Sequence, residues 1–123
     1  MNIGQAIKEV DKRQQNTAAV EDKIKWLRQL DMEIWNDVIL THEGWEDFAE
    51  PSYTEETDMD TELIVPSPYD CIYTSWLQSR IDYDMAEYTR FNNSNAAFEA
   101  DRIAFRNWWN RTHMPLSAGG RYF

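Results

Sequence analysis

Apolar positions step at three and four residues along most of this chain, the spacing of helices that each bury one face. Ile3, Ile7 and Val10 share a face and predict a short helix over residues 3–13. Gln14 to Thr17 read as a turn, with Thr17 placed to cap a second helix whose first turn holds Val20 and Glu21. Val20, Ile24, Leu27, Leu30 or Asp31, Ile34, Trp35 and Val38 line that helix, and Trp26 widens the stripe. It runs for about six turns to near Leu40–His42, where Gly44 stops it. Ser67 as N-cap, Pro68 at the first helical position and Asp70 at the third spell another helix start. The stripe that follows is heavily aromatic: Tyr69, Ile72, Tyr73, Trp76, Leu77, Ile81, Tyr88 and Phe91. Asn92 to Asn95 form a natural break, with Ser94 able to cap a last helix carrying Phe98, Ile103, Phe105, Trp108 and Trp109; the alternative is one continuous helix through them. Ala96, Ala97, Ala100 and Ala104 would let a neighbour approach that helix closely, and it ends before Pro115. The expected fold is therefore all-α: a bundle of three main helices plus a short N-terminal one.

Leu63-Ile64-Val65 breaks the helical pattern as the one convincing strand-like run. A single short strand finds no second strand in this chain to pair its backbone groups. Its partners are loop backbone, solvent, or a second copy of the protein.

The chain has 123 residues, enough for one domain with a real core, and 42% apolar content is too high for a disordered one. We expect a single helical domain over residues 1–113 and a C-terminal arm over 114–123. No apolar run approaches a membrane span, and the polar amphipathic start does not read as a signal peptide, so an intracellular protein is expected. The net charge is -10, and the excess is local. Between Glu43 and Glu62 lie nine acids (Glu43, Glu46, Asp47, Glu50, Glu55, Glu56, Asp58, Asp60, Glu62) and no Lys or Arg. This segment, with Pro51 and no steady period, predicts a long acidic loop, and Trp45, Phe48 and Tyr53 are spaced through it to pin it down. In the last 23 residues Arg102, Arg106, Arg111 and Arg121 face only Asp101. Such a chain lacks the clustered Lys and Arg that grip DNA through phosphates.

Candidate chemistry is sparse. Cys71 is the only cysteine, so neither an internal disulfide nor a zinc site forms from thiols, and it reads as a small packing residue in a first helical turn. Asp58-Met59-Asp60-Thr61-Glu62 has the start of a calcium loop, but the glycine and glutamate positions of that motif hold Leu63 and Tyr69. His42 and His113 are far apart in sequence, and His42 suits a helix C-terminus better than a metal shell. Adjacent acids such as Glu46-Asp47 and Glu55-Glu56 are solvated pairs rather than an acid–base couple in contrasting environments. No nucleophile elbow or phosphate loop occurs. The aromatic stripe reads as core, since base-stacking surfaces carry interleaved Lys and Arg. We therefore expect no enzyme activity, no cofactor and no metal.

Thr61-Glu62-Leu63-Ile64-Val65-Pro66-Ser67-Pro68-Tyr69-Asp70, then Ile72-Tyr73 and Trp76-Leu77, resembles the centre of the head-tail connector (neck adaptor, head-completion) proteins of long-tailed bacteriophages. Ile81-Asp82-Tyr83, Glu87-Tyr88, Arg90-Phe91-Asn92-Asn93-Ser94 and Phe105-Arg106-Asn107-Trp108-Trp109-Asn110-Arg111 extend the resemblance over roughly residues 19–113. The acidic stretch before Leu63 is longer here than the family pattern. The resemblance implies a small helical subunit of a virion neck ring, commonly twelvefold. That ring would lie between the portal protein and a tail-side stopper and continue the DNA channel without binding DNA specifically. It also implies synthesis in the host cytoplasm and no membrane partner. Expected subunit or portal contacts are Trp45, Phe48, Leu63, Ile64, Val65 and the arm residues Arg121, Tyr122 and Phe123. The acidic channel or partner surface would be Glu46, Asp47, Glu50, Glu55, Glu56, Asp58, Asp60 and Glu62. The competing expectation is an acidic DNA mimic, whose carboxylates imitate phosphates and occupy a basic host or phage protein.

Overall fold

In a computed structural model, residues 1–54 and 56–116 are described. Four α-helices carry the fold: α1 (Ile3–Arg13), α2 (Val20–Ile34), α3 (Cys71–Asp84) and α4 (Tyr88–Thr112). The described residues contain no strand, only isolated antiparallel bridges joining Asn2 to Glu62 and His42 to Pro115. The domain is thus an all-α bundle of three main helices plus a short N-terminal one.

A capping box starts α1: the Asn2 side chain accepts from the Gln5 amide at 2.8 Å and Gln5 Oε1 accepts from the Asn2 amide at 2.9 Å. Ile3, Ala6, Ile7 and Val10 are its buried face. The second helix begins after Ala19, so Thr17 is not its cap. Asn16 holds the connection instead, accepting from the Ala18 amide and donating to Gln14 O and Asp11. Glu21 and Asp22 in the first turn complement the helix dipole where no side chain caps it. The end of α2 relaxes into a π-helical turn, Trp35–Ile39, in which the Leu40 amide reaches back to Trp35 O. Trp35, Val38 and Ile39 of this turn are all in the core.

α3 is the central helix. Ile72, Tyr73, Leu77 and Ile81 are buried along it; Tyr73 reaches Asp31 of α2, while Ser75 and Asp82 bond to Asp101 and Ser94 of α4. Its start is later than the Ser67-Pro68 signature predicts. Residues 67–70 form turns, the Ser67–Pro68 peptide is cis, and the Tyr69 amide is taken by Pro66 O. The helix opens at Cys71 with no side-chain cap.

The break before α4 also lies elsewhere than predicted. Asn92 to Asn95 sit inside a continuous 25-residue helix, and Ser94 Oγ donates to Asp82 across the interface at 2.9 Å rather than capping anything. The chain turns at Met85–Glu87. There the Ala86 amide bonds to Tyr83 O and the Glu87 amide to Asp82 O, the paired bonds of a Schellman ending, with Ala86 at φ 58°. Ser75 of α3 and Ser94 of α4 both bond across the interface between these helices. The alanines of α4 (Ala96, Ala97, Ala100, Ala104) face solvent instead, and Ile103 is exposed with them.

Candidate functional site

Asp31 is the chemical centre of the domain. It falls at a core position of the α2 stripe and is 1% exposed. Tyr73 Oη donates to its Oδ1 at 2.6 Å, while Oδ2 accepts from Tyr53 Oη at 3.1 Å and from the Ile64 amide at 3.4 Å. Tyr73 Oη in turn accepts from the Val65 amide at 2.7 Å. One carboxylate therefore ties α2 to the acidic segment, to residues 63–65 and to α3. Burial pushes its pKa up to about 6, against the opposing pull of the hydrogen bonds from Tyr73, Tyr53 and Ile64. Burial beside that charge also raises both phenols above their ordinary range. A carboxyl group so enclosed has no reach to an external substrate, and what it can do is hold three segments in register.

This arrangement accounts for the backbone of the strand-like run. The Leu63 amide bonds to Met1 O at 3.0 Å, and the next two amides go to Asp31 and Tyr73. Thr61 O and Met59 O accept from Ile3 and Gly4, two of the free amides at the start of α1. Leu63 and Val65 are buried in the chain's own core, and Ile64 is half-buried.

The acidic segment lies over this knot. Phe48 packs edge-on against Trp109 at 5.4 Å between ring centres and Tyr53 is clamped by Asp31, so these aromatics pin the segment from within. Trp45, in a 3₁₀ turn at Trp45–Asp47, is 36% exposed. Glu43, Glu46, Asp47, Glu50, Glu56, Asp58, Asp60 and Glu62 are all exposed. Glu55, Arg121, Tyr122 and Phe123 lie outside the described residues. Of the expected arm, residues 114–116 run back along residues 41–43: the Glu43 amide bonds to Met114 O at 2.7 Å and the Leu116 amide to Thr41 O at 3.0 Å.

The remaining candidates are mostly structural. That pairing brings the two histidine segments together, although they are distant in sequence. His113 stacks on Trp109 at 3.7 Å, and His42 Nδ1 lies 2.8 Å from Val38 O at the end of the second helix. No cluster of His, Cys, Asp and Glu among the described residues could hold a metal ion. Cys71 is exposed rather than packed, and partial burial with the charges of Asp101 and Asp70 raises its pKa. Tyr83 and Tyr88 leave the core, with Arg80 lying over Trp76, Tyr83 and Phe91 at 4.7, 5.5 and 5.6 Å. An open groove of about 500 Å³ runs along α2 past Arg28, Met32 and Asp37 to Trp76. None of the described helices is long and apolar enough to cross a membrane.

Sequence reasoning placed Tyr53 as a pin of the acidic segment but missed Asp31, the group that holds it, and the hydroxyl of Tyr73. The signal was present: an acid at a core position of an otherwise apolar helical stripe requires buried donors. Comparison with family models, with curated proteins and with solved structures returns no match.

Proposed function

We propose that this chain is a non-enzymatic structural subunit of a phage virion neck, assembling into a ring between portal and tail around the DNA path. The observation that carries the reading is the solvent exposure of every described carboxylate from Glu43 to Glu62 on a segment braced at Phe48 and Tyr53. A braced acidic surface repels phosphates and lets DNA slide past without gripping it. The resemblance of residues 61–77 to head-tail connectors points to the same role. Portal and tail-side stopper would be its partners, and the virion neck its place.

The same carboxylates also suit a DNA mimic that occupies a basic protein, so the test must separate the two. The particle mass of the purified chain is measured alone and with a portal protein, before and after Glu46, Asp47, Glu50 and Glu56 are changed to their amides. A portal-dependent ring that survives neutralisation supports the neck reading. A chain that binds neither itself nor a portal sinks it. Salt-sensitive capture of a basic protein, abolished by neutralisation, establishes the mimic instead.

A further inference from the structure

Phe48 is seated on Trp109, and the Met59 carbonyl accepts from the Gly4 amide. Between these two anchors Tyr53 is the one buried residue among those described, while Ala49, Glu50, Ser52 and Thr54 around it are exposed. The other hydrogen bonds described for this stretch are local, joining Thr54, Glu56 and Thr57 to one another. Packing supports it little: an open cavity of about 390 Å³ is lined by residues 49–53 together with Thr57, Thr61 and Glu62. The stretch is therefore a strap with a single latch, the Tyr53 hydroxyl donating to Asp31 Oδ2 at 3.1 Å.

The group that receives the latch is a carboxyl buried without an ion pair among the described residues. Facing it are the Tyr53 phenol from the strap, the Ile64 amide from the extended run and the Tyr73 phenol from α3. Arg28, one turn earlier on α2, acts on the Tyr53 phenol. An enclosed charge with no counter-ion favours any state in which water reaches it. Lifting Tyr53 admits that water, whose own donors replace the hydroxyl that is lost. A neutral carboxyl gains far less from the same opening.

We propose that residues 49–54 are a pH-sensitive strap, latched over Asp31 while its carboxyl is protonated and opening locally once the carboxyl is charged. With the strap closed, burial holds the Asp31 pKa at about 6, and admitting water moves it back toward the ordinary 3.8. The closed state binds the proton more tightly, so closure is strongest at low pH and weakens as pH rises through 6. The device concerns the mobility of the acidic surface and does not rest on the neck reading.

Thermolysin cutting of the full chain at Ser52–Tyr53, divided at each pH by cutting of a free peptide of residues 48–59, reads the open fraction. Circular dichroism checks that each variant is folded. The wild-type ratio should rise about fivefold or more from pH 5 to pH 8. Asp31→Asn, which cannot take the charge, should show no such rise. Tyr53→Phe keeps the cutting site and Asp31 but removes the latch, and should be cut faster than wild type at pH 8. Cutting at the strap should also outrun cutting within α3, which needs global unfolding. A flat wild-type ratio overturns the proposal, as does a rise undiminished in Asp31→Asn. Equal rates at the strap and in α3, or a Tyr53→Phe chain cut no faster than wild type, overturn it as well.

Discussion

Replacing Asp31 by asparagine keeps the shape of the buried knot and removes its charge, which isolates the cost of holding a carboxylate there. In the folded chain burial lifts the Asp31 pKa to about 6, from an ordinary 3.8. The native state therefore holds a proton more tightly than the unfolded chain between those values. Its stability should rise as pH falls through that window and drop as pH rises through 6. The full difference is worth about 3 kcal/mol, roughly half of it gained by pH 5 and most of it by pH 4. Asp11 works in the opposite direction, held low by hydrogen bonds from Lys23 and Asn16 despite its burial. The informative quantity is consequently the difference between wild type and Asp31→Asn. Urea unfolding followed by tryptophan fluorescence at pH 7.5, 6, 5 and 4 measures it. The wild type should gain about 2 kcal/mol on the variant between pH 7.5 and pH 4. A difference that stays flat over that range refutes the account of Asp31 as a charge whose burial outweighs its three donors. Asp31→Leu makes a useful contrast: it strands the Tyr53 and Tyr73 hydroxyls and the Ile64 amide, and should destabilise at every pH.

Three further outcomes are expected. Ala86 occupies the left-handed position of the α3 ending at φ 58°, so Ala86→Gly should stabilise the fold by about 1 kcal/mol in urea unfolding, and a loss of stability would contradict the Schellman geometry. Gly44 has φ 91° and an added Cβ would lie 3.3 Å from His113 Cδ2, so Gly44→Ala should cost about 1–2 kcal/mol by the same assay, and a neutral result would mean that the His113 stack gives way freely. Cys71 should react with iodoacetamide more slowly than an unstructured cysteine peptide at pH 8 despite its exposure, and Asp101→Asn should speed it; a faster-than-peptide rate would show that the nearby carboxylates do not suppress the thiolate.

Particular residues show where sequence reasoning reached and where it stopped. The buried faces of α1 and α2 follow from their apolar spacing, because a helix with one such face has one way to bury it. Asn92 to Asn95 misled as a break since their preference for turns is weak beside the packing of Phe91, Ser94 and Phe98 against α3. The true break at Ala86 carries no Gly or Asn to announce it. Ser67 and Pro68 spelled a helix start that the turn at Pro66–Tyr69 delays to Cys71.

The sequence by itself determined that this is a small acidic helical domain, with one uncharged-by-lysine-or-arginine segment of carboxylates and one extended run outside the helices. Those properties are local, written in period and composition. Only the tertiary structure decided that the extended run is satisfied within its own chain, by Met1, Asp31 and Tyr73. It also decided that Ser75 and Ser94 meet partners across the α3–α4 interface while the alanines of α4 face solvent. Both depend on which side chains meet across long sequence separations, and a buried carboxylate finds its donors only once the helices have packed.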